Sequence, residues 1–298
     1  MKRLFVSLLL FVVLNSIFSL KPVREYPFRP ENFGMIYKEL KAITSDDYQI
    51  NIWFFPAQEV EEPFWKYFQE PIKREYETLS DKPKPTIIIC PGDAGNMAHL
   101  VQFAYYLAPK GYNVVTFDWR GFGESDDFPI KENYFCHTEF FKDYDAVLDT
   151  IKQFDEVDSD KIGIYGFSTS AYLTMATIYR RQDINCFIAR GLLTDLKTLQ
   201  AYYLEEHNEF VEIPSDYPSE LYPKNIANKF DIPTLLIVGE FDKITPVWMS
   251  ENIYSQLIGE KELWIVEHTG HAPEWDEEIG LDNYIERMAE FFDKYLKQ

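Results

Sequence analysis

Cysteine, basic side chains and long apolar runs are all scarce in this chain. There are 3 cysteines in 298 residues, and 29 Lys and Arg stand against 49 Asp and Glu. Three cysteines cannot build a disulfide scaffold. Cys90 and Cys186 lie in apolar, strand-like runs and read as core residues, Cys136 reads as a loop residue, and at most one bridge is open to them. Nothing is spaced as zinc ligands, and no internal repeat occurs. The formal charge of -20 makes nucleic acid and anionic membrane surfaces poor partners. Most of these acids read as a solvated surface that favours solubility. What the chain does have is 46% apolar and 17% aromatic residues, which excludes disorder and low-complexity classes and is ample for one large core.

The first twenty residues differ from the rest. Lys2 and Arg3 precede an apolar run over residues 4–14, followed by Asn15, Ser16 and Ser19, the layout of a secretory signal. The run is shorter than the roughly 20 residues that a spanning helix needs. Residues 1–20 are therefore expected to be a signal peptide, with a secreted or periplasmic destination. A cut after Ser19 would put Ile17 where a small residue is preferred, so an uncleaved N-terminal anchor, and membrane association through it, stands as the alternative. No cysteine follows the run to take a lipid. Residues 21–298 form the remaining domain.

Within that domain, YKELKAIT (37–44) and YQINIWFF (48–55) predict a hairpin turned at Ser45, Asp46 and Asp47. Short continuous apolar runs follow: TIIIC (86–90), NVVTF (113–117), KIGIY (161–165), CFIAR (186–190), TLLIV (234–238) and ELWIV (262–266). Such runs suit parallel strands covered on both faces. Between them, residues 139–154 and 281–296 place their apolar side chains on one helical face. The alternation implies a doubly wound α/β sheet. Residues 56–85 and about 195–230 fit the alternation badly and are expected to be insertions at the sheet edges, the second a small cap.

The stretch KIGIYGFSTSAY (161–172) sets Ser168 on a sharp strand-to-helix turn, where its hydroxyl stands beyond the carboxyl end of the sheet. Such a turn needs small residues two positions either side, and Gly166 and Ser170 supply them. A serine hydroxyl is barely nucleophilic at neutral pH and needs a base, itself held by an acid. Asp242 follows TLLIV in GEFDKITP and His271 follows ELWIV in EHTGHAP, so both sit past the ends of later strands. Each has a rival. Asp195, in GLLTD, competes with Asp242 but also suits a helix N-cap. His268 competes with His271. His99, His137 and His207 read as surface or packing residues, and Arg120, Gly121 and Gly123 as loop architecture.

At these residues the chain resembles the α/β-hydrolase superfamily, over roughly residues 35–298. The landmarks stand in order: PGDAGN (91–96), DWRGFGESD (118–126), GFSTS (166–170), and the pair GEFDKITP and TGHAP. The resemblance implies an α/β-hydrolase fold, a mostly parallel twisted sheet of about eight strands with helices on both faces and a small cap. It implies Ser168 as nucleophile, His271 as general base and acid, and Asp242 as the group that orients His271. It also implies an oxyanion hole from the backbone N–H groups of Thr169 and Asp93. Two departures bear on that hole. Pro91-Gly92 stands where many members have His-Gly, and the acidic side chain of Asp93 is unwelcome beside a developing negative charge, which leaves Ala94 as an alternative donor.

The expected activity is that of a serine hydrolase of the esterase, lipase or thioesterase kind, acting on a small-molecule or acyl substrate through an acyl-enzyme and using no cofactor or metal. Its activity should rise as pH passes through about 6.5, where a free imidazole loses its proton. The aromatic stretches at 53–68 and 201–214 either wall an apolar cleft or pack the insertions. An aminopeptidase akin to the proline-iminopeptidase branch is the alternative, with Glu205, Glu206, Glu209 and Glu212 binding the substrate amine. A catalytically weakened binding protein on the same fold is another.

Overall fold

The computed structural model describes residues 20–60, 65–76, 82–272 and 279–297. The expected signal or anchor over residues 1–20 lies, except for Leu20, outside them.

An eight-stranded mixed sheet forms the centre. Its strands are β1 (Lys38–Ile43), β2 (Gln49–Phe55), β3 (Lys84–Ile89), β4 (Asn113–Phe117), β5 (Val157–Phe167), β6 (Cys186–Arg190), β7 (Thr234–Gly239) and β8 (Lys261–Val266). They run in the order β8-β7-β6-β5-β3-β4-β2-β1. β2 is antiparallel to β1 and β4, and the remaining neighbours are parallel. β1 reads KELKAI, with Leu40 and Ala42 buried and the charged residues between them wet, as befits an edge strand. The interior strands β4, β6 and β7 are buried along their whole length, because helices cover both faces of a parallel sheet.

The helices are α1 (Trp65–Gln69), α2 (Val101–Leu107), α3 (Phe140–Ile151), α4 (Thr169–Arg181), α5 (Leu196–His207), α6 (Pro223–Ile226), α7 (Val247–Gln256) and α8 (Gly280–Leu296). Apolar residues of α2 and α8 join Ile87 and Ile89 in one core, and those of α3, α4 and α7 join Ile88 and Cys90 in the other. Alternate residues of β3 thus feed opposite layers, the two-residue period of a strand. α8 buries Tyr284, Ile285, Met288, Phe291, Phe292 and Leu296 on one stripe, each worth ~1.5–3 kcal/mol in area removed from water.

Two expectations need correction. The segment between β6 and β7, which holds α5 and α6, joins interior strands and so is not an insertion at a sheet edge. Trp53, Phe54 and Phe55 pack in the two cores and wall no cleft. Arg120 is fully buried against Asp143, with Asp46 beyond it, which accords with loop architecture. All three cysteines are free and buried. No described helix is long and apolar enough to cross a membrane.

The sheet order turns at β3, whose neighbours are β4 and β5. In open α/β sheets this switch point opens a crevice beyond the carboxyl ends of the strands. Residues after Leu20 cross it: Lys21–Pro22 pairs in parallel with Ala94–Gly95, and Lys21 N–H donates to the Asp93 carbonyl at 2.8 Å. Asn96 donates from its side chain to the carbonyls of Val23 and Glu25. The loop after β3 is therefore held along residues 93–96 by the segment 21–25.

Candidate active site

β5 ends at Phe167, and the chain turns into α4 through a single residue in an unusual conformation. Ser168 has φ 56° and ψ -117°, a backbone state that non-glycine residues adopt only where the surroundings enforce it. Those surroundings are specific. Ser168 N–H donates to the Arg190 carbonyl at the end of β6, 2.9 Å away. A Cβ on Gly166 would lie 2.8 Å from the Ser170 carbonyl oxygen, so only glycine lets strand and helix approach this closely. Ser170 accepts from Phe167 N–H at 2.7 Å through its hydroxyl. The residue that sequence reading accepted on size alone thus stitches the turn.

His271 stands in the loop after β8. Its Nε2 lies 2.9 Å from Ser168 Oγ, and its Nδ1 lies 2.9 Å from Asp242 Oδ2. Asp242, in the loop after β7, is buried. Its Oδ1 accepts from the backbone N–H groups of Ile244 and Thr245, both at 2.8 Å, and its Oδ2 also accepts from Thr245 Oγ1 at 3.0 Å. Burial pushes this carboxyl up, but His271 and the backbone donors outweigh it and hold the group below the usual carboxylate range. Asp242 is an ionised acceptor fixed in orientation before the imidazole is considered.

The rivals lie elsewhere. Asp195 caps α5, accepting from Lys197 and Thr198 N–H and pairing with Lys224 at 2.8 Å. His268 is exposed and faces Glu240 at 3.6 Å. His137 accepts from Lys131 N–H, and His207 meets the Lys243 carbonyl.

Two residues that sequence reading left unassigned complete the scaffold. Arg190 is buried at the end of β6 and donates to the carbonyls of Gly270, His271 and Ala272 at 3.2–3.3 Å. Its own carbonyl holds Ser168, so one residue ties the hydroxyl loop to the imidazole loop. The signal was a single arginine closing an otherwise apolar strand. Gly191 follows with φ 65°, and a Cβ there would meet the His271 ring at 2.9 Å.

Ser168 opens into a narrow cavity lined by Asp93, Thr169, Tyr134, Phe135, Tyr172 and Tyr203, with Leu193, Leu199, Val211 and Thr245. Its volume of about 20 Å³ holds little more than one water. α5 and the chain after it roof this cavity through Leu199, Tyr203 and Val211. Thr169 begins α4, where a helix has N–H groups with no internal acceptor. Asp93 lines the cavity and Ala94 does not. Glu205, Glu206, Glu209 and Glu212, the amine binders of the aminopeptidase alternative, do not line it either. A larger, open hollow of about 280 Å³, lined by Arg24, Gly121, Asp127, Phe128 and Pro129, holds none of the polar groups above. Among the described residues no group of three or more His, Cys, Asp or Glu is placed to hold a metal ion.

A hydroxyl, an imidazole and a buried carboxylate in one hydrogen-bonded line, beside a helix N-terminus, can transfer a proton out of the hydroxyl and stabilise a developing oxyanion. Comparison with known proteins places the chain among hydrolases. The Peptidase_S9 sequence model, the prolyl oligopeptidase family, matches residues 99–298. The uncharacterised protein YfhR of Escherichia coli is 26% identical over 214 residues, covering 71% of each chain. Among solved structures, the esterase Pf2001 of Pyrococcus furiosus superposes with a TM-score of 0.69 at 19% identity, over 95% of this chain and 99% of its own. A puromycin-hydrolyzing peptidase of Mycobacterium tuberculosis superposes with a TM-score of 0.67 at 14% identity, over 89% of this chain and 40% of its own. At these identities the structural likenesses establish the α/β-hydrolase fold.

Proposed function

The chain belongs to the prolyl oligopeptidase family of hydrolases, and on that premise we propose that it is a serine hydrolase that cleaves esters of short acyl groups through an acyl-enzyme. In this reading His271 Nε2 takes the proton from Ser168 Oγ as the hydroxyl attacks the acyl carbon. Asp242 holds Nδ1–H and stabilises the imidazolium that forms. The carbonyl oxygen, now an oxyanion, is received by the N–H groups of Thr169 and Asp93. Collapse of the tetrahedral intermediate expels the alcohol, which takes the proton from His271. Water activated by the same nitrogen then releases the acid and restores Ser168.

Support comes above all from one observation, the unbroken line Ser168 Oγ–His271 Nε2 and His271 Nδ1–Asp242 Oδ2, with both distances 2.9 Å. The preference for short acyl groups rests on the cavity, whose aromatic and aliphatic walls leave no room for a long chain unless the roof over Leu199, Tyr203 and Val211 moves. Hydrolysis of 4-nitrophenyl acetate, butyrate, octanoate and palmitate by the purified protein tests both parts. The reading expects kcat/KM to fall with chain length and to vanish in Ser168→Ala. Equal rates across the series would remove the short-acyl preference. Turnover retained in Ser168→Ala would remove the nucleophile, and a folded wild-type protein with no turnover on any member would point to a binding module.

A further inference from the structure

Residues 20–26 are tied to the walls of the candidate site along their whole length. Leu20 is fully buried, and its N–H donates at 3.0 Å to the carbonyl of Glu132, two residues before the cavity-lining Tyr134. Lys21 N–H then donates to the Asp93 carbonyl at 2.8 Å, and Val23 N–H to the Gly95 carbonyl at 3.0 Å. Asn96 answers from the loop. Its Nδ2 donates to the carbonyls of Val23 and Glu25 at 3.0 and 2.9 Å, while its Oδ1 accepts from Ala98 N–H at 3.2 Å. Tyr26 closes the segment. Its hydroxyl donates to Asp118 Oδ2 at 2.6 Å and accepts from Asn51 Nδ2 and Glu124 N–H, and Asp118 Oδ1 in turn accepts from Met97 N–H at 2.7 Å. Asn51, Asn96 and Asp118 are all buried, where an unmade bond carries the full cost of desolvation.

The stretch held in this way carries Asp93, the source of one oxyanion donor in the reading above. Upstream, the sheet fixes the chain as far as Cys90, whose N–H donates to the Tyr165 carbonyl at 2.9 Å. Beyond it Pro91 has no N–H, and among the described residues no backbone carbonyl accepts from Gly92 or Asp93 N–H. The sheet alone leaves that donor unaimed. Restraint returns at the Asp93 carbonyl, because its bond to Lys21 stops the 93–94 peptide plane from turning. With the planes on both sides of the gap fixed, the direction of Asp93 N–H is limited.

We propose that residues 20–26 are a strap belonging to the active site, and that Asn96 and Tyr26 are positioning residues that aim Asp93 N–H at the oxyanion through it. The inference rests on the serine-hydrolase reading and deepens it. Neither side chain lines the cavity, so neither touches substrate. Their effect falls on the transition state, in which negative charge reaches the carbonyl oxygen, more than on the ground state, in which the same N–H meets a neutral carbonyl. Misplacing such a donor by about 1 Å is enough to cost on the order of 10² in rate.

Asn96→Ala removes both donors to the strap, and Tyr26→Phe removes its far anchor while keeping the ring that packs on Trp53. With 4-nitrophenyl acetate, kcat should fall roughly 10–100-fold in Asn96→Ala and about threefold or more in Tyr26→Phe, while KM changes by less than about twofold. The pH dependence of kcat/KM, which His271 sets, should keep its form. Circular dichroism checks folding, and if Asn96→Ala does not fold, Tyr26→Phe decides. A second readout isolates the oxyanion. Ser168 Oγ bonds the carbonyl carbon of 1,1,1-trifluorobutan-2-one, the π pair moves to the oxygen, and the proton passes to His271 Nε2. The inhibition constant of this ketone should therefore weaken in each variant by the same factor as kcat/KM. Unchanged kcat in the folded variants, a loss carried by KM alone, or a fall in kcat with undiminished inhibition would overturn the proposal. Ser168→Ala separates this from the underlying reading: turnover retained there removes the nucleophile, whereas turnover lost there beside unchanged strap variants removes only the strap.

Discussion

Replacing Asp242 by Asn tests how the carboxylate acts, because the structure dictates which way the new amide must face. Oδ1 of Asp242 accepts from Ile244 and Thr245 N–H, and Oδ2 accepts from His271 and Thr245 Oγ1. An asparagine has one acceptor oxygen and one NH2. If the oxygen keeps the two backbone donors, the NH2 points at His271 Nδ1 and forces that nitrogen to accept. The proton of the neutral ring then sits on Nε2, which can no longer take one from Ser168. The opposite orientation sets an NH2 against two backbone N–H groups and leaves buried donors unsatisfied, at ~1–3 kcal/mol each. The first orientation is favoured, and it inverts the tautomer. The expected loss is roughly 10³–10⁴ in kcat, or about 4–5 kcal/mol of transition-state stabilisation, with the fold intact. Steady-state hydrolysis of 4-nitrophenyl acetate reads it, with circular dichroism as the control for folding. An Asp242→Asn enzyme within tenfold of the wild-type kcat would refute the argument.

Two further expectations follow from buried groups outside the cavity. Arg190→Met should lower kcat by roughly 10–100-fold with little change in KM, because it releases the loop that carries His271. Arg190→Lys should recover part of the loss through one retained donor, and an unchanged kcat in Arg190→Met would show that the clamp is not needed. Burial pushes the Asp118 carboxyl up to about 7 from 3.8, while it accepts from Tyr26 OH and Met97 N–H. A raised carboxyl binds its proton more tightly when folded, so its stabilising contribution is full below about pH 4 and is lost as pH rises to 7. Relative to wild type, Asp118→Asn should gain stability between those limits, on the order of 4 kcal/mol at most. Urea unfolding at pH 4 and pH 7 measures it, and a pH-independent difference would contradict the cause given.

Much of the architecture was legible because its signals are local. NVVTF and CFIAR are strands at the residues where the apolar runs begin and end, and α8 spans the stretch whose apolar stripe announced it. The elbow was legible because Gly166 and Ser170 flank Ser168 within five residues. His271 and Asp242 were legible as loop residues past strand ends, and the structure brings His271 to the serine and Asp242 to His271. What escaped reading depends on contacts between distant segments. Arg190 reaches residues about 80 positions away, so in sequence it is only a charged strand end. The roof of α5 could not be placed without the strand order, which puts β6 and β7 inside the sheet.

The central claim is that Ser168 is made nucleophilic by His271. A fluorophosphonate probe followed by mass spectrometry of the labelled peptide measures this directly. The account predicts a single adduct on Ser168 in the wild-type protein, none in Ser168→Ala, and labelling of a folded His271→Ala slowed by at least a hundredfold. An adduct on another residue, or labelling of folded His271→Ala at the wild-type rate, would contradict it.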